Sequence, residues 1–161
     1  MMTGTRTTSH CVVRPPTYTL DANIFTRTLH PNQSNHAVCG ELIAQLSTSN
    51  IPIIVPLILL TEVSGAVRRE TGAAMQARIF ADVVRGLPTI QLVPIDSFLA
   101  DVAADIASDE ALRGMDALYV AVARQYGCAL VTLDREVQLR AARVVSVLTP
   151  TAALSALFGP A

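Results

Sequence analysis

The sequence contains no lysine and no tryptophan, and aromatic residues make up only 4% of its 161 positions. Its hydrophobic fraction is nevertheless 51%, so the core must be built mainly from Leu, Val, Ile and Ala side chains. A chain of this length and composition can bury such a core without disulfide bonds or structural metals. We therefore expect one globular domain.

Cysteine is also scarce, and the three that occur, Cys11, Cys39 and Cys128, are widely spaced. Because their number is odd and there is no C-x-x-C pair, we expect neither a disulfide framework nor a zinc site. The pattern favours a reducing, cytoplasmic compartment. No apolar run reaches the length of a membrane-spanning helix, so we expect no membrane partner.

The first 16 residues are polar and rich in threonine, and they lack the apolar stretch of a secretory signal. We expect residues 1–16 to form a flexible extension and residues 17–161 to form a single domain. The sequence shows no internal repeat and no low-complexity segment that would suggest a second one.

Short apolar runs alternate along the chain with segments whose apolar residues recur at helical spacing. Strands are predicted at residues 18–20, 51–55, 90–95, 129–133 and 144–148, with helices between them. Pro56 is expected to begin the helix that follows the second strand. This alternation predicts a three-layer α/β/α sandwich with a mostly parallel central sheet.

Four acidic residues interrupt or follow the apolar segments: Asp21, Glu62, Asp116 and Asp134. Asp21 and Asp134 come after predicted strands, so they should meet at the sheet edge where ligands bind in α/β proteins. Asp116 lies at the start of an apolar helix, where the N-terminus tolerates a carboxylate. Glu62 lies on a helix face of apolar and small residues, although that face could also be the solvated one.

Four carboxylates gathered in one place would repel one another and resist ionising together. Divalent cations relieve such repulsion, and oxygen ligands suit Mg²⁺ or Mn²⁺ rather than Zn²⁺ or Cu²⁺. These ions can activate water or stabilise the attacking and leaving oxygens of a phosphodiester. Each acid taken alone also has an ordinary explanation as a surface or helix-start residue.

At these acids the sequence resembles the PIN-domain nucleases, in an order and rough spacing that match over about residues 18–155. The matching segments are Thr19-Leu20-Asp21-Ala22-Asn23-Ile24-Phe25, Leu60-Thr61-Glu62-Val63, Gly114-Met115-Asp116-Ala117-Leu118-Tyr119-Val120-Ala121-Val122-Ala123 and Leu130-Val131-Thr132-Leu133-Asp134. The resemblance implies the three-layer fold and a Mg²⁺- or Mn²⁺-dependent endoribonuclease that leaves 5′-phosphate and 3′-hydroxyl ends. Small members of the family are often VapC-type toxins of toxin–antitoxin pairs.

By that resemblance Asp21, Glu62, Asp116 and Asp134 bind the metal or hold its waters, and Thr132 is similar to the family's hydroxyl residue. Asn23 either braces Asp21 or a water, or simply starts a helix. The implied partners are an RNA substrate, a cognate antitoxin and a second copy of the chain. The Ala-rich helices after Gly72 could form the dimer interface, or they could belong to the core.

The overall charge is compatible with an RNA substrate, although it does not require one. The formal net charge is -1, whereas nucleic-acid-binding domains usually have a basic excess. Without the four acids, nine acidic residues remain against 12 arginines, and arginine suits phosphate contacts. Four arginines flank the acids and either contact RNA phosphates or form solvated surface: Arg68, Arg69, Arg113 and Arg135.

Three other kinds of protein fit part of this pattern. One is a purely structural or interaction protein, in which loss of any of the acids would leave metal affinity unchanged because there is none. A phosphoacceptor receiver domain also places acids at strand ends, but it needs paired acids near the first strand and a late lysine. The main alternative is a PIN-like module that binds RNA or protein without cutting. Retention of all four acids speaks against that alternative.

Overall fold

The computed structural model describes residues 16–158, so the extension expected at residues 1–16 lies outside the described residues except for Pro16. The strands are β1 (Tyr18–Leu20), β2 (Ile53–Pro56), β3 (Ile90–Val93), β4 (Ala129–Val131) and β5 (Val147–Leu148). The helices are α1 (Ala22–Arg27), α2 (His36–Thr48), α3 (Leu59–Thr71), α4 (Ala74–Arg85), α5 (Ser97–Glu110), α6 (Gly114–Tyr126), α7 (Arg135–Ala141) and α8 (Pro150–Phe158).

The five strands form one parallel sheet in the order β3-β2-β1-β4-β5, with β1 at its centre. Helices flank this sheet, which confirms the predicted α/β/α fold. β1 and β4 are neighbours in register, with Leu20 opposite Val131 at their carboxyl ends. The segments that follow these two strands therefore leave the sheet side by side.

The core is aliphatic, as the composition predicts, and it surrounds the central strands. Leu20, Val55 and Leu130 are fully buried in the sheet. The predicted deep position of α6 is also confirmed, because its residues from Tyr119 to Ala123 are at most 2% exposed. No helix between residues 16 and 158 is long and apolar enough to cross a bilayer.

Several element boundaries differ from the sequence predictions. β2 begins at Ile53 rather than at residue 51, and β4 ends at Val131 rather than at residue 133. Pro56 is the last residue of β2 and not the start of α3, which begins at Leu59 after a turn. β3 ends at Val93 rather than at residue 95, because Pro94 has no N–H to continue the ladder. β5 is shortened because the N–H groups of residues 144 and 145 both donate to the carbonyl of Ala141 in a turn.

Candidate functional site

The ends of β1 and β4 bring two of the four acids to the same edge of the sheet. Asp21 follows β1 directly, and its N–H donates to the Val131 carbonyl at 3.0 Å. Asp134 lies three residues beyond the end of β4. Both carboxylates also cap helices: Asp21 accepts from the Asn23 N–H, and Asp134 accepts from the Glu136 N–H at 2.8 Å. Helix capping therefore fixes their orientation at the carboxyl edge of the sheet.

A hydrogen-bond network built on Thr132 joins these two segments. Thr132 is fully buried, and its hydroxyl donates to Asp21 Oδ2 at 2.6 Å. The Asn23 side-chain amide donates to the same oxygen at 2.6 Å, and its own oxygen accepts from the Leu133 N–H at 3.2 Å. The Asp134 N–H donates to Thr132 Oγ1 at 3.1 Å. Asn23 thus braces Asp21 from the first turn of α1.

Glu62 is neither fully solvated nor fully buried. It lies in the first turn of α3, where Val63 and Val67 occupy the buried side of the helix and Glu62 is half-buried. Its Oε2 accepts a hydrogen bond of 2.5 Å from the hydroxyl of Tyr119 on α6. Tyr119 was not predicted as a site residue, although its position three residues after Asp116 puts both on one helix face.

Burial and neighbouring negative charge disfavour the ionised form of Asp21. Burial raises the pKa of Asp21 to about 6, and the negative charges of Glu62 and Asp134 add to this rise. The hydrogen bonds from Thr132 and Asn23 act in the opposite direction. The ionised form is therefore held by two donors in a surrounding that otherwise disfavours it.

Asp116 and Glu62 show the same electrostatic pattern. The pKa of Asp116 is raised to about 6, mainly by burial and next by the negative charges of Asp21 and Asp134. The positive charge of Arg113 lowers it. Burial also raises the pKa of Glu62, and Asp116 contributes to that shift. Each of the four predicted acids therefore lies within electrostatic reach of at least two others, although they come from four separate segments.

The chemistry of these side chains fits a hydrated cation better than a fully caged one. Within residues 16–158 no three His, Cys, Asp or Glu side chains form a group that could hold a metal ion. Mg²⁺, however, keeps several waters and is commonly held by one or two carboxylates. A recess of about 10 Å³, room for one water, lies between Asp116, Asp134 and Glu136. The all-oxygen donor set therefore fits Mg²⁺ or Mn²⁺ bound partly through water.

The flanking arginines are distributed unevenly around the acids. Arg113 precedes α6 and lines the same recess as Asp116. Arg135 is exposed at the first position of α7. Arg68 lies with Arg78 in an open groove between α3 and α4, and the Arg69 guanidinium packs on the same helix. Only Arg113 thus acts electrostatically on a predicted site residue.

The sequence matches the family model for the PIN domain over residues 18–144. The chain belongs to the PIN-domain family. The matched range includes β1, β4 and all four acids. No curated protein matches the chain. PIN-domain proteins are generally nucleases that use divalent metal ions.

Several solved structures have a similar fold. PAE2754 from Pyrobaculum aerophilum has a TM-score of 0.63 and 21% identity, over 89% of this chain and 97% of that one. VapC20 from Mycobacterium tuberculosis is a toxin that cleaves the sarcin-ricin loop. Its structure has a TM-score of 0.62 and 16% identity, over 76% of this chain and 94% of that one. VapBC2 from Rickettsia felis, bound to a promoter DNA fragment, has a TM-score of 0.62 and 15% identity, over 82% and 97%. At these identities the similarity establishes the fold alone.

Proposed function

We propose that this protein is a Mg²⁺- or Mn²⁺-dependent endoribonuclease whose cation is held, partly through its waters, by Asp21, Glu62, Asp116 and Asp134. The main support is that these carboxylates converge at one sheet edge, where burial and neighbouring negative charge disfavour the ionisation of Asp21, Glu62 and Asp116. Folding such a cluster has a free-energy cost, and a bound divalent cation would offset it. Membership of a family of nucleases supports the same activity.

The side chains of this site would have different roles in phosphodiester hydrolysis. A bound cation would supply an activated water and stabilise negative charge on the phosphate. Thr132 and Asn23 hold Asp21 in its ionised form by donating to one oxygen. Arg113, which lines the same recess as Asp116, would contact a phosphate of the RNA strand. In this reaction water would bond to phosphorus as the bond from phosphorus to the 3′ oxygen breaks. A proton released by the water would end on the 3′ oxygen, which leaves 5′-phosphate and 3′-hydroxyl ends.

We also propose that the protein is a VapC-type toxin that acts in the cytoplasm and is held inactive by a cognate antitoxin. The similar solved structures include a toxin–antitoxin complex from Klebsiella pneumoniae and the VapBC2 structure. Coexpression with the product of an adjacent small gene would test this proposal, because a true antitoxin would copurify and block cleavage.

Calorimetric titration of Mn²⁺ into wild-type protein and the Asp116→Asn variant tests the metal site without knowledge of the RNA target. Asp116 is the best position, because no side-chain hydrogen bond within residues 16–158 depends on its carboxylate. Removing one negative ligand should weaken Mn²⁺ binding by roughly 10- to 100-fold. Absence of binding to the wild-type protein would overturn the proposed function.

Thermal unfolding in EDTA provides the folding control for this variant. Because the pKa of Asp116 is raised to about 6, its ionisation destabilises the native protein. This cost begins near pH 4, where the unfolded state ionises, and is complete above pH about 6. At pH 7 Asp116→Asn should therefore be about 1 kcal/mol more stable, after allowance for solvent screening. The difference should disappear below pH 4.

We propose that α4 forms a homodimer contact through an exposed apolar stripe. Met75, Ile79 and Val83 recur every four residues and are 63%, 54% and 57% exposed, so they line one helix face. Contiguous exposed apolar surface of this kind marks a site of association. Ile79→Arg should therefore shift a wild-type dimer to monomer in sedimentation equilibrium. Leu139→Arg on α7 is the control, and a dimer that survives Ile79→Arg would exclude this face.

A further inference from the structure

We propose that Tyr119 is a positioning residue that holds Glu62 in the carboxylate cluster, an inference that rests on the proposed metal site. The Tyr119 hydroxyl donates to Glu62 Oε2 at 2.5 Å, and the ring is only 2% exposed. Charge-assisted hydrogen bonds of this length are among the stronger ones in proteins. The bond leaves Oε1 of the same carboxylate available for a cation or its waters.

The side chains of Tyr119 and Glu62 differ in conformational freedom. Tyr119 belongs to a run of buried residues on α6, so its ring is fixed by packing. Glu62 is half-buried and has a long side chain with several rotatable bonds. Between residues 16 and 158 no other hydrogen bond or ion pair engages its carboxylate. Tyr119 is therefore the rigid partner that determines where the Glu62 carboxylate lies.

This hydrogen bond links two helices that pack mainly against other elements. α3 packs on α4 and α1, whereas α6 packs on α5 and on the central strands. Asp116 lies one turn before Tyr119 on α6, so a carboxylate tied to Tyr119 is brought close to Asp116. The charge of Asp116 indeed contributes to the raised pKa of Glu62. Without the phenol, Glu62 could turn into solvent, which was the alternative left open by the sequence.

Calorimetric titration of Mn²⁺ into the Tyr119→Phe variant tests this role. Phenylalanine keeps the ring and its packing and removes only the donor to Glu62. Because loss of a hydrogen bond that orients a metal ligand typically costs 10- to 100-fold in affinity, we expect about tenfold weaker Mn²⁺ binding. Tyr18→Phe is the matched control, since Tyr18 is equally buried but lines a cavity at the opposite end of β1 and β4. Its affinity should equal that of the wild type.

A double variant separates positioning from a purely structural effect. If Tyr119 acts through Glu62, adding Tyr119→Phe to Glu62→Gln should weaken Mn²⁺ binding no further than Glu62→Gln alone. Fully additive losses would overturn the proposed role, and so would a Tyr119→Phe variant that binds Mn²⁺ as tightly as wild type. In both cases wild-type binding would still support the metal site. Absence of Mn²⁺ binding in the wild type would instead overturn the proposed function itself.

Glu62→Asp provides a second test if Tyr119→Phe does not fold, as judged by circular dichroism. The side chain shortened by one methylene no longer reaches the phenol, while the core around Tyr119 is unchanged. We expect Mn²⁺ binding about tenfold weaker than in the wild type. Wild-type affinity in Glu62→Asp would overturn the positioning role.

Discussion

Replacing Asp21 with asparagine is expected to reduce Mn²⁺-dependent cleavage of RNA by roughly 100- to 1000-fold. A bound cation stabilises charge in the transition state by several kcal/mol, and loss of one of its ligands removes part of this stabilisation. Each 1.36 kcal/mol corresponds to a tenfold change in rate. Asp21 directly follows the central strand β1, and its charge interacts with those of Glu62, Asp134 and Asp116. The measurement is the initial rate of cleavage of a 5′-labelled random-sequence RNA pool in Mn²⁺, at enzyme concentrations well above those of the RNA.

Asp96→Asn is a matched control for this substitution. Asp96 caps α5 by accepting from the Leu99 N–H at 2.8 Å, just as Asp21 caps α1. Asparagine is about as good a cap as aspartate, so both variants should fold. Asp96 is not among the charges that shift the pKa values of Asp21, Glu62 or Asp116. Cleavage that persists in Asp21→Asn but depends on Mn²⁺ would show that the metal is held elsewhere.

Thr132→Val should lower the free energy of unfolding by about 2–4 kcal/mol, the largest stability effect expected at the site. Valine has nearly the same shape, but it cannot replace the hydroxyl that donates to Asp21 Oδ2 and accepts from the Asp134 N–H. A buried polar group left without its partner costs roughly 1–3 kcal/mol. Here the Asp21 carboxylate, the Asp134 N–H and the Asn23 amide each lose a partner. Urea unfolding in EDTA, at a pH where Asp21 is ionised, measures the change without a contribution from bound metal.

Thr89→Val is the control with the opposite expectation. Thr89 is also buried, 6% exposed, but its hydroxyl has no hydrogen-bond partner among the described residues. The same substitution there removes an unsatisfied group, so stability should stay equal or increase. Thr132→Ser should recover most of the loss, because it restores the hydroxyl. Equal effects at positions 132 and 89 would mean that the Thr132 hydrogen bonds contribute little.

The order of strands and helices was predictable because it depends on residues close together in the chain. The β-branched run at Ile53–Val55 and the apolar spacing in α6 are local patterns of that kind. Pro56 shows where local rules fail: a proline after a strand favours a helix start, yet here it completes β2 opposite Val93. The strand partner that decides this lies 37 residues away in the sequence.

The sequence by itself determined the fold class and singled out the four acids, since each of them breaks an apolar pattern. Only the tertiary structure decided which groups hold those acids. Thr132 donates a hydrogen bond to Asp21, which lies 111 residues away in the sequence, and Tyr119 donates one to Glu62, 57 residues away. Periodicity assigns a residue to a face of its own helix or strand, but it carries no information about the element packed against that face. The position of Glu62 beside Tyr119 therefore follows from how α3 and α6 are arranged around the sheet.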